Sequence, residues 1–213
     1  MAYRTLFSIF FLFAFGGAFA QVNDDFSDGD FTTNPTWSGD DTLFEVLNGE
    51  LHLNDPNTPV AGEAALSTPS QALANGTWEF NVRLDANPTG ANFVEVYLAA
   101  DQSDLTSTTL NGYFVRIGNT TDEVSLYEVG NGSNTEIIDG RDDVVDVGNP
   151  ELRVRVTRDA AGIWTLETDT SAALNNYISE GSVSDVSHLT STFFGVYTRY
   201  TSTRRDWFYF DGL

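Results

Sequence analysis

Residues 77–84 read Thr-Trp-Glu-Phe-Asn-Val-Arg-Leu, and this stretch decides the fold class. Its apolar side chains occupy every second position: Trp78, Phe80, Val82 and Leu84. Successive side chains of a β-strand point to opposite faces of a sheet, so this period of two predicts a strand with one face in an apolar core. Residues 151–158 follow the same alternation.

Similar short runs recur along the chain, separated by clusters of Gly, Asn, Asp and Pro. The sequence predicts further strands at residues 93–100, 113–117, 122–129, 135–138, 163–168, 177–183, 193–199 and 206–210, with shorter, edge-type strands at 43–46, 50–53 and 64–67. Asn131-Gly132 predicts a hairpin turn. We therefore expect an all-β fold: one antiparallel two-sheet sandwich or jelly roll.

The first residues predict export. Arg4 precedes an apolar run at residues 6–15, and Ala18-Phe19-Ala20 closes the segment with small residues in an A-x-A pattern. This order is typical of a secretory signal peptide at residues 1–20, and an uncleaved N-terminal anchor is the alternative. We expect residues 21–213 to form one secreted domain, extracellular or on the cell surface, and to be the N-terminal part of a longer protein.

Composition restricts the partners. The net charge is −21, and a field of this sign repels nucleic acid and anionic membrane surfaces. We therefore expect no nucleic-acid partner, and no membrane insertion after signal cleavage. The chain has no cysteine, so apolar burial rather than disulfide bonding must stabilise the exported domain.

Four segments carry a family resemblance: residues 24–31 (DDFSDGDF), 34–40 (NPTWSGD), 110–118 (LNGYFVRIG) and 122–127 (DEVSLY). Together they resemble an N-terminal module of secreted, multidomain surface proteins of gliding-type Gram-negative bacteria, in which lamin-tail or other extracellular domains often follow. The resemblance spans nearly all of residues 21–213 and implies a concanavalin A-like lectin/glucanase fold. It implies no particular activity, because the module has no well-defined one.

We find no pattern typical of a catalytic site. Glycoside hydrolases of this fold need two carboxylates across the scissile bond, and the laminarinase-like branch carries them as E-x-D-x-x-E on one strand. Here Ser125 occupies the middle acid position, and alternation places Glu123 and Glu128 on opposite faces. A cross-strand pair of Glu79 and Glu95 stays open. We therefore expect a protein that is not an enzyme.

Aspartates at both ends of the mature chain suggest a structural calcium site. Asp24, Asp25, Asp28 and Asp30 lie within seven residues, and Asp206 and Asp211 flank the last predicted strand. First and last strands of a jelly roll usually pair, which would bring these carboxylates together as the hard oxygen ligands that calcium prefers. The alternative is that the Asp-Gly cluster serves only as turn chemistry.

Outward-facing tyrosines and arginines suggest a sugar-binding face. If the strands concerned share a sheet, strand parity places these residues on its outer face: Tyr97, Arg116, Tyr127, Arg155, Tyr197 and Arg199. Exposed rings stack on sugars while guanidinium groups bind hydroxyls, so the face could hold a glycan or another cell-surface ligand. The alternative is a lattice of Arg–carboxylate pairs that serves solubility.

These observations leave three functions open. The first is a non-catalytic extracellular recognition or adhesion module that binds carbohydrate. The second is a structural spacer of a secreted surface protein. The third is a glycoside hydrolase or lyase of the same fold. A groove lined by Tyr and Arg favours the first, a flat salt-bridged face the second, and two carboxylates facing across a groove the third.

Overall fold

The alternating stretches pair into two seven-stranded sheets that pack face to face. The structure, a computed structural model, describes residues 21–57 and 59–213. Every strand pair is antiparallel. The predicted all-β, two-sheet antiparallel sandwich is therefore confirmed, whereas the predicted signal peptide at residues 1–20 lies outside the described residues.

Sheet A consists, in spatial order, of β1 (Ser38–Gly39), β4 (Gly62–Pro69), β13 (Phe193–Tyr200), β6 (Phe93–Ala100), β7 (Gly112–Ile117), β8 (Val124–Gly130) and β9 (Ser133–Ile138). Sheet B consists of β12 (Ile178–Ser184), β11 (Ile163–Asp169), β10 (Glu151–Arg158), β5 (Gly76–Leu84), β14 (Phe208–Asp211), β3 (Glu50–Leu53) and β2 (Phe44–Leu47). One turn of 3-10 helix, Asp41–Leu43, precedes β2.

The core between the sheets follows the predicted alternation. The apolar residues of β5 are buried, whereas Glu79, Asn81 and Arg83 are only half-buried on its other face. The Trp78 ring stacks on Trp164 of β11, with 5.6 Å between ring centroids. One face of the longer strands therefore supplies the shared interior, which holds the fold without disulfides.

Two strands predicted as short edge strands are interior. Residues 64–67 belong to the eight-residue β4, which pairs with β13 on one side and with β1 on the other. Likewise β3 lies between β14 and β2. The edge interpretation of 64–67 is wrong because β4 is buried on both faces with small side chains such as Ala64 and Ala65, so no alternation marks its position in the sequence.

The ends of the described domain meet. The backbone N–H of Asp24 donates to the Leu213 carbonyl at 2.8 Å, and Leu213 N–H donates back to the Asp24 carbonyl at 2.9 Å. This exchange places the first aspartate cluster beside the end of β14. In the described part of the chain, no helix has the length and apolar character needed to cross a membrane.

Candidate functional site

Side chains on the outer face of sheet A form rows across its strands. One row follows the cross-strand pairs Ser125–Arg116, Arg116–Glu95, Glu95–Tyr197 and Tyr197–Ala65. A neighbouring row joins Phe93, Arg199 and Glu63. Cross-strand neighbours on one face are close enough to interact directly, so these rows bring charged and aromatic groups from β4, β13, β6 and β7 together.

A second apolar cluster lies on this outer face, outside the sandwich core. We call it the outer cluster, and it contains Ala65, Phe93, Tyr97, Ala100, Leu105, Leu110, Phe114, Tyr127, Val129 and Tyr197. Leu105 and Leu110 come from residues 101–111, the connection between β6 and β7, which crosses the sheet and covers the rings. We refer to this segment as the covering loop. It explains why β6 is buried on both faces.

The covering loop is held at both ends and at its middle. Asn111 donates from its backbone N–H to Oδ1 of Asp101 at 2.9 Å and from Nδ2 to Oδ2 at 2.7 Å. The turn between β8 and β9 also holds this end of the loop, since Gly132 N–H donates to the Leu110 carbonyl at 2.9 Å. Ser67 Oγ of β4 donates to the Ser103 carbonyl at 2.9 Å. The loop is therefore a preformed wall.

A groove of about 260 Å³ runs between this wall and the uncovered rows of sheet A. Thr106, Ser107 and Thr108 of the covering loop line one side, with Asn134 of β9. The floor and the opposite side consist of Phe93, Glu95, Tyr97, Arg116, Tyr197, Arg199 and Glu63. The groove thus combines hydroxyl and amide groups with two carboxylates and two guanidinium groups.

An ion pair forms the centre of the groove floor. Arg116 donates from Nε to Oε1 of Glu95 at 3.0 Å and also from Nη2, while the Tyr97 hydroxyl donates to Oε2 at 3.0 Å. Burial alone lowers the pKa of the Arg116 guanidinium, but the Glu95 carboxylate outweighs burial and raises it. The guanidinium carbon also lies 4.5 Å from the Phe93 ring centroid. Arg116 is therefore held in one orientation.

The groove rim carries a weaker pair. Nε of Arg199 lies 3.9 Å from Oε1 of Glu63, and both side chains are about half exposed, at 53% and 48%. Burial raises the pKa of the Tyr197 hydroxyl, and the Glu63 carboxylate adds to this effect. The Tyr197 hydroxyl therefore stays neutral and can donate or accept hydrogen bonds.

Four of the predicted ligand-binding residues line this groove: Tyr97, Arg116, Tyr197 and Arg199. Tyr127 is adjacent, with its ring stacked on Phe114. The expectation of exposed rings is wrong, because Tyr97, Tyr127 and Tyr197 are only 4%, 7% and 8% exposed beneath or beside the covering loop. Their ring faces are therefore not open for stacking on a sugar, and the Tyr97 hydroxyl is already engaged by Glu95.

Arg155 does not join this face. It belongs to β10 in sheet B, and Val154 and Val156 beside it point into the sandwich core, so its side chain lies on the outer face of the other sheet. The predicted common face required all the strands to share one sheet. Strand parity alone cannot decide sheet membership, which is why the sequence places Arg155 wrongly.

The outer face of sheet B is a lattice of paired charges. Arg155 donates from Nε to Oε2 of Glu167 at 2.7 Å, and Arg153 donates from Nη2 to Oε2 of Glu79 at 3.0 Å. Further along, Arg83 binds both carboxylate oxygens of Glu50. This face therefore has the arrangement given in the sequence analysis as the alternative to a sugar-binding face, a lattice of Arg–carboxylate pairs.

The aspartates predicted as calcium ligands do not converge. Asp24 accepts hydrogen bonds from Phe26 N–H and Trp37 Nε1, and Asp25, Asp28 and Asp30 each accept the backbone N–H two residues ahead. At the other end, Asp211 accepts from Gly212 N–H, and the carbonyl of Asp206 lies 2.8 Å from His52 Nε2. Across residues 21–57 and 59–213, no group of three or more acidic, His or Cys side chains is arranged to hold a metal ion.

This arrangement is turn chemistry. The chain ends do meet, as the sequence predicts, but each carboxylate in the N-terminal cluster satisfies a local backbone donor instead of pointing to a common centre. Burial raises the pKa of Asp211, and the carboxylates of Glu50 and Asp25 add to this rise. Within the described residues these carboxylates therefore serve the turn and form no set of three or more converging metal ligands.

No predicted carboxylate pair is arranged for catalysis. Glu79 and Glu95 lie on the outer faces of different sheets and cannot converge. Glu123 and Glu128 face opposite sides, as alternation predicts: Glu123 accepts from Asn119 Nδ2, whereas Glu128 contacts His188. Glu63 and Glu95 do line one groove, but Arg116 and Tyr97 already occupy both oxygens of Glu95.

Several groove residues were not predicted: Glu63, Phe93, Thr106, Ser107, Thr108 and Asn134. Phe93 begins β6, Glu63 is the second residue of β4 and Asn134 the second of β9, whereas Thr106, Ser107 and Thr108 lie in a long polar connection. One signal was available, since Leu105 and Leu110 are isolated apolar residues in an otherwise polar loop that precedes a strand with an outward Phe114. An apolar residue in such a loop indicates that the loop packs on something.

Solved structures with similar folds place this geometry in context. No protein-family model matches the sequence, and no curated protein matches it. Carbohydrate binding module CBM66 from Bacillus subtilis is similar with a TM-score of 0.58 and 12% identity, over 83% of this chain and 92% of that one. The VIP36 exoplasmic/lumenal domain, in a Ca²⁺/Man-bound form, is similar with a TM-score of 0.56 and 15% identity, over 83% of this chain and 82% of that one. A legume lectin-like domain from Entamoeba histolytica is similar with a TM-score of 0.54 and 8% identity, over 90% of this chain and 93% of that one.

These likenesses show the fold: the chain has a legume-lectin-like β-sandwich, in agreement with the concanavalin A-like architecture that the sequence resemblance implies. At such low identity they do not show function.

Proposed function

We propose that this domain is a non-catalytic, extracellular recognition module that binds a carbohydrate in the groove on the outer face of sheet A. The observation that carries the proposal is the groove itself: about 260 Å³, with a preformed loop wall and convergent hydroxyl, amide and guanidinium groups. This volume is just below the roughly 300–1,000 Å³ of typical small-molecule sites, so it suits a terminal sugar or a short glycan segment.

The accessible groups of the groove are mainly polar, as hydrogen bonding to a sugar requires. Thr108 and Asn134 offer hydrogen bonds to sugar hydroxyls. The hydroxyls of Thr106 and Ser107 already donate within the covering loop and can accept from a sugar. Phe93, Leu105 and Leu110 lie buried beneath these groups and support them. Because the covering loop is already latched, little conformational entropy is lost when a ligand binds. Two of the structural neighbours support the proposal, since one is a carbohydrate binding module and one is a lumenal domain described with bound mannose.

The module is proposed as non-catalytic because its best-placed acid is fully engaged. Glu95 has a side chain only 5% exposed, and its carboxylate accepts from Arg116 and Tyr97. A general acid or nucleophile must have a free oxygen near the glycosidic bond. Glu63 alone does not provide the second carboxylate that hydrolysis needs.

A structural role is the second candidate, and one observation favours it. The outer face of sheet B is covered by Arg–carboxylate pairs, from Arg83–Glu50 to Arg155–Glu167, and such a face suits a solvated spacer between other domains. Both roles are compatible in one domain, because they use opposite faces of the sandwich.

The test is retention of purified residues 21–213 on a printed glycan array. Arg199→Ala changes the groove rim, and Arg153→Ala is its matched control, since both remove a partly exposed guanidinium and Arg153 lies on the opposite face. We expect the unmodified domain to be retained on a subset of glycans, Arg199→Ala to lose most of this signal and Arg153→Ala to keep it. No retention on any glycan, or equal loss in both variants, would contradict the proposal.

A further inference from the structure

We infer that the groove selects neutral, hydroxyl-rich saccharide units and excludes acidic ones, with Glu63 as the residue that sets this preference. The inference rests on the proposed function, because it concerns the ligand class of the same groove. It follows from how the charges lining the groove are distributed and paired.

Neither guanidinium in the groove is an uncompensated cation. Arg116 donates through Nε and Nη2 to Oε1 of the buried Glu95, so an anion approaching Arg116 would also approach that carboxylate. Arg116 also lies over three aromatic rings, with its guanidinium carbon 4.5 Å from the Phe93 centroid, 5.0 Å from that of Tyr127 and 5.6 Å from that of Phe114. Bidentate binding of a ligand carboxylate or sulfate requires a free guanidinium edge and a net positive charge. The Glu95 carboxylate neutralises the positive charge of Arg116, so the second requirement is not met.

Glu63 opposes an acidic ligand at the rim. Its carboxylate is about half exposed and lies beside Arg199, the more accessible of the two arginines. An acidic sugar drawn to Arg199 would therefore meet Glu63 as well. The lining contributes two carboxylates and two guanidinium groups, so it is neutral overall, and the surrounding protein carries a net charge of −21. This field repels anions at long range.

The other polar groups in the groove are neutral. Thr106, Ser107, Thr108 and Asn134 carry hydroxyl or amide groups, and burial raises the pKa of the Tyr197 hydroxyl so that it stays protonated. Such groups suit the alcohols of a neutral sugar, each of which can donate and accept. The Glu63 carboxylate can also accept hydrogen bonds from the hydroxyls of a neutral sugar. The carboxylate of a uronate cannot donate such a bond, because it is an acceptor only.

The experiment compares matched neutral and acidic oligosaccharides of equal length on residues 21–213. The probes are mannan and mannuronate, glucan and glucuronan, and galactan and galacturonan oligomers, with retention measured in low salt. We expect the retained neutral member to bind at least about ten-fold better than its acidic counterpart. Raising the salt to about 0.5 M should narrow this gap, because ions screen the repulsion.

Two variants separate the groove from the overall charge. Glu63→Gln keeps the shape of the side chain and removes its charge, and we expect it to raise the ratio of acidic to neutral binding about two- to five-fold, the size of a partly exposed charge interaction. Glu151→Gln is the matched control: it makes the same change in net charge at an exposed position of β10, on sheet B. We expect it to leave the ratio unchanged.

The outcomes distinguish the two proposals. If a probe pair is retained but its acidic member binds as well as the neutral one, the selectivity inference is overturned while carbohydrate binding stands. An equal effect of Glu151→Gln and Glu63→Gln overturns the role of Glu63. If no probe of either class is retained, carbohydrate binding itself is contradicted, and the inference falls with it.

Discussion

Leu105 of the covering loop packs against the bare backbone of Gly195 in β13, so closely that a Cβ on Gly195 would lie 2.7 Å from Cδ1 of Leu105. The same Cβ would lie 2.5 Å from the Leu66 carbonyl oxygen. The missing side chain at Gly195 thus leaves the space in which Leu105 packs, and the position of the groove wall depends on this contact.

Truncation of Leu105 should loosen the wall. Leu105→Ala removes a buried apolar side chain from the outer cluster, and we expect a loss of about 2 kcal/mol in the free energy of unfolding, at the low end for buried Leu→Ala changes. Urea denaturation measures this, and glycan retention should fall as well. Leu189→Ala is the control, because Leu189 is 71% exposed and its change should cost less than about 0.5 kcal/mol. Equal effects of the two substitutions would show that the loop is not packed as described.

The Arg116–Glu95 pair should be strongly coupled. Arg116→Met leaves the Glu95 carboxylate buried without its main partner, and we expect a destabilisation of about 3–5 kcal/mol. The double variant Arg116→Met/Glu95→Gln removes the buried charge and should recover most of that loss. A double-mutant cycle from chemical denaturation gives the coupling energy. Additive effects of the two substitutions would contradict a direct buried ion pair.

Asp24 should act as a structural hydrogen-bond acceptor and not as a metal ligand. Its Oδ2 accepts from Trp37 Nε1 at 2.9 Å, and its Oδ1 accepts from Phe26 N–H. Asp24→Asn replaces one of these oxygens with an NH₂ group, so one of the two donors loses its acceptor. We expect a loss of about 1–3 kcal/mol, the cost of an unsatisfied buried donor, and little change for the exposed Asp28→Asn. Thermal melts with and without a chelator complete the test. A fall in melting temperature on chelation that Asp24→Asn abolishes would mean that calcium binds here after all.

Asp30 should titrate unusually low. Hydrogen bonds from the hydroxyl of Thr33, and from the backbone and hydroxyl of Thr32, lower the pKa of its carboxyl to about 2. A carboxyl with a lowered pKa in the folded state stabilises that state above its ordinary pKa, and the contribution is lost as the pH falls through the lowered value. Residues 28–33 should therefore loosen as the pH falls from about 4 to about 2. Carboxyl carbon shifts followed by NMR report the titration, and a midpoint near 3.8 would contradict these hydrogen bonds.

Local alternation predicts the strands well because burial acts residue by residue. Residues 77–84 and 151–158 are strands with the predicted faces, and Asn131-Gly132 forms the predicted turn between β8 and β9. Both turn residues have positive φ, 51° and 72°, as the favoured two-residue hairpin requires. These features depend on neighbours in sequence, so they can be predicted from it.

The candidate site could be predicted only in part because it depends on contacts between distant segments. Parity correctly places Tyr97, Arg116, Tyr197 and Arg199 on one face, but it cannot show that β10 joins the other sheet, and so it misplaces Arg155. Nor does it show that a polar loop folds back over the strands and buries the tyrosines. The aspartate clusters mislead for a related reason, since a carboxylate that satisfies a turn has the same sequence signature as one that binds a cation.

The central claim is that the groove between the covering loop and sheet A is the binding site, and NMR titration of ¹⁵N-labelled residues 21–213 tests it most directly. With a neutral oligosaccharide retained on the array, we predict that the largest amide shifts occur at Thr106, Ser107, Thr108, Asn134 and Arg199. Amides around Arg153, Arg155 and Glu167 on sheet B should not move. Shifts concentrated on the sheet B face, with the covering loop unchanged, would contradict the account.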